Sequence, residues 1–211
     1  MIHAKSLLRM NPTEFWALVA LAAAMSFTPG PNTTLSAALG ANLGLRRALP
    51  FVCSVPVGWS LLLTLCALGL GALILAAPGL VWVLKAVGVG YLLWLALKLA
   101  RSSSLSQSAE PVQVGFFQGI GLQFLNIKAW MLALTVVSGW VAGQGSVLVR
   151  LAQVVPVMMV FAFCSNLSYA WVGSLLRLWL AGPEGSGLRL LRFNRLMAAV
   201  LTATGLWILL Q

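Results

Sequence analysis

Apolar residues along this chain run on, rather than alternating with polar ones as in a strand or a surface helix. Three stretches, 15–45, 48–84 and 151–176, contain no charged residue, and each exceeds the roughly 20 residues of helix needed to cross a bilayer. The punctuation between runs predicts six transmembrane helices, over 13–39, 48–77, 80–100, 114–141, 147–180 and 188–210. Asn11 or Thr13, with Pro12 beside it, starts the first, and Pro78 with Gly79 stops the second. The serine-rich segment 102–111, with Glu110, is a hydrophilic loop, and Gly182, Pro183, Gly185 and Gly187 form the turn before the last helix. Lys5 and Arg9 ahead of an apolar stretch with Ala22 and Ala24 have the look of a signal peptide. The apolar pattern continues through Pro31 with no soluble domain after it, so the segment is read as helix 1 and residues 1–9 as a short extension.

Two of these spans are interrupted by residues that do not belong in a membrane helix. In helix 1 the sequence Phe27-Thr-Pro-Gly-Pro-Asn32 places two prolines around a glycine, which removes backbone donors and breaks or kinks the helix. In helix 4 Asn126 and Lys128 form a polar step near the middle of the span. Six spans divide as three plus three, and these are the first helices of the two halves. Paired interruptions at corresponding positions point to a transporter site in a 3+3 inverted repeat. Backbone groups freed at a break cannot face lipid, so Pro29, Gly30, Pro31 and Asn32 are candidates to line a polar cavity with Asn126 and Lys128. A plain packing kink is the competing reading of the first motif, and a short helix 4 ending at Lys128 is that of the second. Asn166, next to Ser165 in helix 5, is a weaker candidate that interhelical packing explains as well.

Composition narrows the class. The chain has 61% apolar and 8% charged residues, too little polar surface to cover a soluble globule, for which about a quarter charged residues is usual. A formal charge of +10 raises the question of nucleic acid. The basic residues instead sit mostly at the ends of apolar runs, with no basic-aromatic groove pattern, and are read as topology signals and headgroup contacts. Arg46, Arg47, Lys98, Arg101, Arg177, Arg189, Arg192 and Arg195 fall on one side of a six-span arrangement, against Lys5, Arg9, Lys85 and Arg150 on the other. The first side is expected to be cytoplasmic, with both termini periplasmic. Cys53, Cys66 and Cys164 lie inside apolar runs and are read as packing residues. Spacings such as Gly40 and Gly44, Gly115 and Gly119, and Gly139 and Gly143 fit close helix contacts.

What is missing also decides. There is no Asp, the only histidine is His3, and the carboxylates are Glu14, Glu110 and Glu184. That excludes a buried carboxylate proton relay and a carboxylate–histidine metal site, and no cofactor is expected. The convergent acid, base or metal groups of a membrane enzyme are absent, as are the His, Asp and thiolate clusters of a divalent-cation exporter. A non-transporting scaffold leaves the two interruptions without a reason.

The set Phe27-Thr-Pro-Gly-Pro-Asn32, Gly40-x3-Gly44-x-Arg46-Arg47, Gly88-x-Gly90-Tyr91-Leu-Leu-Trp94-Leu95 with Lys98, and Gln123-Phe-Leu-Asn126-Ile-Lys128 resembles the LysE/RhtB amino-acid exporters. The likeness runs from Met10 to the end. Members of that family usually carry Asn-Pro-Lys at the second site, and many have an acidic residue after a glycine in span 2. Here Ile127 replaces the proline and Trp59 follows Gly58. These departures, with Gln123-Phe124 and Asn166, are similar to the branch exporting cysteine and O-acetylserine. The resemblance implies a multi-pass exporter of the bacterial inner membrane, driven by the proton gradient, acting on small neutral amino acids such as cysteine, O-acetylserine, threonine or homoserine. A homodimer is a candidate assembly. Charge matching agrees on substrate: Lys128 can pair a carboxylate, while no side-chain anion is present for the extra cation of lysine or arginine.

Overall fold

The computed structural model describes residues 10–102, 113–182 and 187–210. The extension 1–9, nearly all of the loop read over 102–111, and Pro183, Glu184 and Gly185 lie outside the described residues. Every described element is helical: α1 Pro12–Phe27, α2 Pro31–Leu43, α3 Leu45–Leu65, α4 Gly71–Ala76, α5 Pro78–Arg101, α6 Phe116–Leu125, α7 Ile127–Val136, α8 Val147–Ala181 and α9 Leu188–Leu210. Single π-turns, Cys66–Leu70 and Val137–Val141, join α3 to α4 and extend α7.

By length and apolarity four segments can cross a membrane: Leu45–Ile74, Pro78–Arg101, Val147–Ala181 and Leu188–Leu210. A fifth is the pair α6 and Ile127–Val141, bent by 72° between its two pieces. The helix expected over 13–39 is two shorter helices, so the described residues contain four to five candidate spans by these measures. Large apolar side chains face outward along the bundle, among them Trp16 at 66%, Leu73 at 68% and Leu178 at 88% exposure. An apolar surface of that extent is lipid-facing in a multi-pass membrane protein.

Local chemistry sets the first break. Asn11 caps α1 by accepting from the Glu14 N–H at 2.8 Å, and the Glu14 carboxylate accepts from the Asn11 N–H at 3.2 Å. At the other end, each proline excludes the residue before it from helical conformation. Thr28 stands at ψ 129° before Pro29, and Gly30 at ψ −176° before Pro31. Pro31 then opens α2 at the position where its missing N–H costs nothing. The second break is made without a proline. Asn126 is extended at φ −94°, ψ 99°, and the Trp130 indole N–H donates to the freed Phe124 carbonyl at 2.8 Å.

Two seams of small residues hold the bundle. A side chain at Gly40 would overlap the Ala170 carbonyl, and one at Gly173 would overlap the Ala37 carbonyl, so α2 and α8 meet backbone to backbone. Gly58 faces Ile120 and Gln123 of α6, while Gly119 faces Ser54 and Phe51 of α3. Such closeness is how membrane helices gain dispersion contacts without a hydrophobic driving force between them. Not every expected spacing is used this way: Gly139 and Gly143 meet nothing within 4 Å, and Gly143, at φ 71°, lies in the turn after α7. Of the cysteines, Cys66 is buried and Cys53 half-buried, but Cys164 is exposed on α8 and is not a packing residue.

The ends of the bundle can be told apart. At one, the Arg150 guanidinium pairs with Glu14 at 3.2 Å and the Trp140 indole N–H donates to the Glu14 carbonyl at 2.9 Å, gathering the starts of α1 and α8 with the extension of α7. At the other, Asn194 of α9 exchanges hydrogen bonds with Asn42 of α2 and donates to the Ser102 carbonyl after α5 at 2.8 Å. Gly40→Leu is expected to cost about 1–3 kcal/mol through overpacking of the α2–α8 seam, lowering the unfolding midpoint in detergent by several degrees. Gly121→Ala, which meets nothing within 4 Å, should leave it unchanged or slightly higher.

Candidate functional site

The two breaks lie side by side. The Lys128 side chain, in the first turn of α7, crosses to the end of α1, where its ammonium donates to the Thr28 carbonyl at 3.1 Å. On the way it lies over Gly30: a Cβ there would stand 3.3 Å from Lys128 Nζ and 3.4 Å from its Cδ. Gly30 is extended, at φ −171°, so its lack of a side chain serves this passage and not backbone freedom. Lys128 has three N–H donors, of which Thr28 takes one. Glu14 is the only carboxylate among the described residues, and it belongs to Arg150 at the end of the bundle. Lys128 therefore has no carboxylate partner among the described residues.

A second bridge ties the breaks together through amides. Asn32 Nδ2 donates to Gln123 Oε1 at 2.8 Å, and Gln123 Nε2 donates back to Asn32 Oδ1 at 3.3 Å and to the Gly119 carbonyl at 3.1 Å. Gln123 is wholly buried. One turn on, the Ser36 hydroxyl donates to Asn166 Oδ1 at 2.8 Å, and Asn166 Nδ2 donates to the Ala162 carbonyl of its own helix. Asn126 differs: its Oδ1 is buried and has no hydrogen-bond partner among the described residues. A buried acceptor left in that state costs about 1–3 kcal/mol, which a polar solute beside it would remove.

Asn32, Asn126, Lys128 and Asn166 border a cavity of about 60 Å³, room for a few waters or a small solute. Of the residues singled out from sequence, Gly30, Pro31, Asn32, Asn126, Lys128 and Asn166 line it. Pro29 does not: it faces a groove on the other flank of Lys128, with Met131, Thr204 and Trp207. Two helices begin at the cavity, α2 at Gly30 and α7 at Asn126, and neither N-cap side chain covers its amides. Both helix dipoles thus add positive potential where Lys128 already sits. The end of α1 is the opposite pole, with the Phe27 carbonyl taken by the Tyr169 hydroxyl at 3.0 Å and the Thr28 carbonyl by Lys128. The arrangement can hold a carboxylate on Lys128 and the helix starts, and an ammonium on Asn126 Oδ1 and the carbonyls. Sequence reasoning met Gln123 only as part of the family-like motif Gln123-Phe-Leu-Asn126-Ile-Lys128 and did not place it at the site. It also left out the apolar wall of Met25, Trp59, Leu132 and Met158, which nothing distinguishes from ordinary core.

A bundle of membrane-length helices, broken twice around a polar cavity that would fit a small solute, is the architecture of a membrane transporter. Comparison with known proteins narrows the class: the profile described as LysE type translocator matches residues 23–211. The chain belongs to that family, which is one of transporters and not of enzymes. Among curated relatives, the cysteine/O-acetylserine efflux protein of Salmonella typhimurium is 30% identical over 163 residues, covering 77% of this chain and 82% of its own. Its namesake from Klebsiella pneumoniae is 30% identical over 166 residues, covering 79% and 85%. That from Escherichia coli is 27% identical over 169 residues, again covering 79% and 85%. No solved structure matches the chain.

If the Asn32–Gln123 bridge holds the breaks in register, Gln123→Ala and Asn32→Ala should each lower thermal stability by about 1–3 kcal/mol. The double variant should cost clearly less than their sum, with a coupling of at least about 0.5 kcal/mol in a double-mutant cycle. Strict additivity would show that the two amides are not partners in the membrane-extracted protein.

Proposed function

We propose that this chain exports small neutral amino acids across the bacterial inner membrane. The observation that carries the reading is the Lys128 ammonium, spanning both helix breaks to the Thr28 carbonyl with no carboxylate partner among the described residues. A zwitterion completes this site: its carboxylate pairs with Lys128 and the starts of α2 and α7, and its ammonium with Asn126 Oδ1 and the carbonyl end of α1. The substrates for which the relatives are named, cysteine and O-acetylserine, are zwitterions of this kind, and threonine and homoserine share the charge pattern. The dibasic amino acids bring a second positive charge next to Lys128, unfavourable in a weakly screened cavity. The drive proposed is the proton gradient, a reading that the family resemblance supports.

In this reading α1 with α2, and α6 with α7, each make one broken crossing, for six in all. The inverted repeat is supported by contacts between α3 and α8, the second and fifth crossings, and between α5 and α9, the third and sixth. The Asn42–Asn194–Ser102 network gathers the end that carries Arg46, Arg47, Arg101, Arg177 and Arg189, and that end is cytoplasmic by the excess of basic residues.

Cells expressing the protein should export labelled cysteine and O-acetylserine above control, and excess unlabelled lysine or arginine should not compete. Lys128→Met and Asn32→Ala should each cut export at least about tenfold, the scale of losing a charge-assisted hydrogen bond, with membrane-inserted protein nearly unchanged. Efficient lysine or arginine export with no effect on small neutral amino acids would overturn the substrate assignment. For topology, a reporter fused after Gln211 should be active as a periplasmic fusion, and a cytoplasmic readout would reverse the orientation.

A further inference from the structure

Beyond the polar groups, the cavity has an apolar half, and its position can be read from the helices that build it. Arg150 and Trp140 both meet Glu14, so α8 starts at that end of the bundle and α7 runs towards it from Lys128. α3 starts beside Ser174, far along α8, because the Leu45 N–H donates to the Ser174 hydroxyl at 3.2 Å; it therefore advances towards the Glu14 end too. Along α7 and α8 the large apolar lining residues lie beyond the polar ones in that direction, and on α3, which lines the cavity with apolar residues alone, Trp59 lies further that way than Val55. Leu132 is one turn past Lys128, Met158 is two turns before Asn166, and Trp59 is one turn past Val55. Trp59, Leu132 and Met158 share one packed cluster, with Met25 of α1 against it. Trp59 is buried, at 5% exposure, and its indole N–H donates to the Ala129 carbonyl at 3.3 Å, in the first turn of α7. This bond fixes the ring relative to Lys128.

Resting on the zwitterion reading above, we infer that Met25, Trp59, Leu132 and Met158 form a side-chain subsite on the Glu14 side of the helix breaks, in which the Trp59 ring limits substrate length. With the charged end of the solute fixed at the breaks, the side chain projects into this wall. Its class is short and weakly polar: a thiol, a thioether, a short aliphatic chain or a small ester. Sulfur suits it, since thiol and thioether groups pack favourably against an aromatic ring and against methionine. A leucine or phenylalanine side chain meets the indole, and the close-packed cluster behind it does not yield volume readily.

The test uses purified full-length protein in detergent, with thermal stabilisation by added amino acid as the binding readout and export from cells as the second. Wild type should be stabilised by cysteine, O-acetylserine and alanine, and not by leucine or phenylalanine. Trp59→Ala should shift the ratio of leucine to alanine response by about tenfold or more, since one methylene in a pocket is worth about 10–200-fold in discrimination. Leu132→Ala and Met158→Ala widen the same wall without touching the indole hydrogen bond, so they keep the test valid if Trp59→Ala does not fold. Trp59→Phe, which keeps most of the bulk, should retain the preference for short side chains. Unchanged selectivity in whichever of the widened variants fold would overturn the subsite. Absence of export from wild type, with the selectivity of binding shifting as described, would overturn the export reading and leave the subsite standing.

Discussion

The contact between the Lys128 ammonium and the Thr28 carbonyl is the constraint around which the rest of this structure is arranged. A carbonyl freed at a helix end inside a bilayer has no water to turn to, and a lysine at that depth has no counter-charge. Each meets the other's need. The bridge then dictates what surrounds it: a glycine at position 30 so that the lysine stem can pass, and two breaks close enough for one side chain to span. Prolines at 29 and 31 hold one of those breaks open. The two motifs are one site because a four-carbon stem reaches no further.

Around that bridge the bundle has two unlike halves. Towards Asn42 and Asn194, α2 and α6 are pressed on α8 and α3 through Gly40, Gly173, Gly58 and Gly119, and the amide pairs Asn32–Gln123 and Ser36–Asn166 lie in these contacts. Towards Glu14 and Arg150 the contacts are made by Trp59, Leu132 and Met158, which pack through side chains instead of backbone. Backbone contact leaves no space for a solute, whereas side chains that can change rotamer do. The cavity accordingly sits at the breaks and on the side-chain-packed half.

How much of this was legible in the sequence depended on whether a break had a covalent cause. Pro29 and Pro31 dictate backbone conformation through their rings, so the interruption in helix 1 could be placed to the residue. The break at Asn126 has no such cause: it is held by the Trp130 indole on the Phe124 carbonyl, a contact that exists only once the fold is formed. The polar step showed that something happens there, but a 72° bend could not be read from Asn and Lys alone. Gln123 stood in the family-like motif, but its partner could not be read for a related reason, since Asn32 is ninety-one residues away. Glycine spacing was the weakest guide. Gly40 and Gly119 lie at seams, whereas Gly139 repeats the same pattern against open space.

The energetics of Lys128 tie folding to binding. Placing a lysine at the centre of a span costs about 2.5–3.5 kcal/mol on insertion scales, and one hydrogen bond to a charged group offsets about 1.5–3. The Thr28 carbonyl thus makes the residue tolerable without making it favourable, and Asn126 Oδ1 adds a second unmet demand a few ångströms along the chain. A single packing role would be served better by an apolar residue of similar length, which has neither cost. The opposite signs of the two unmet groups, a spare donor with positive charge and a spare acceptor, are what one carboxylate and one ammonium on the same small molecule satisfy together. A site of this kind gains stability when filled and loses it when emptied, by amounts small enough for the solute to leave again. A deep buried ion pair at the same place would hold the helices shut, and among the described residues no carboxylate stands beside Lys128 to form one.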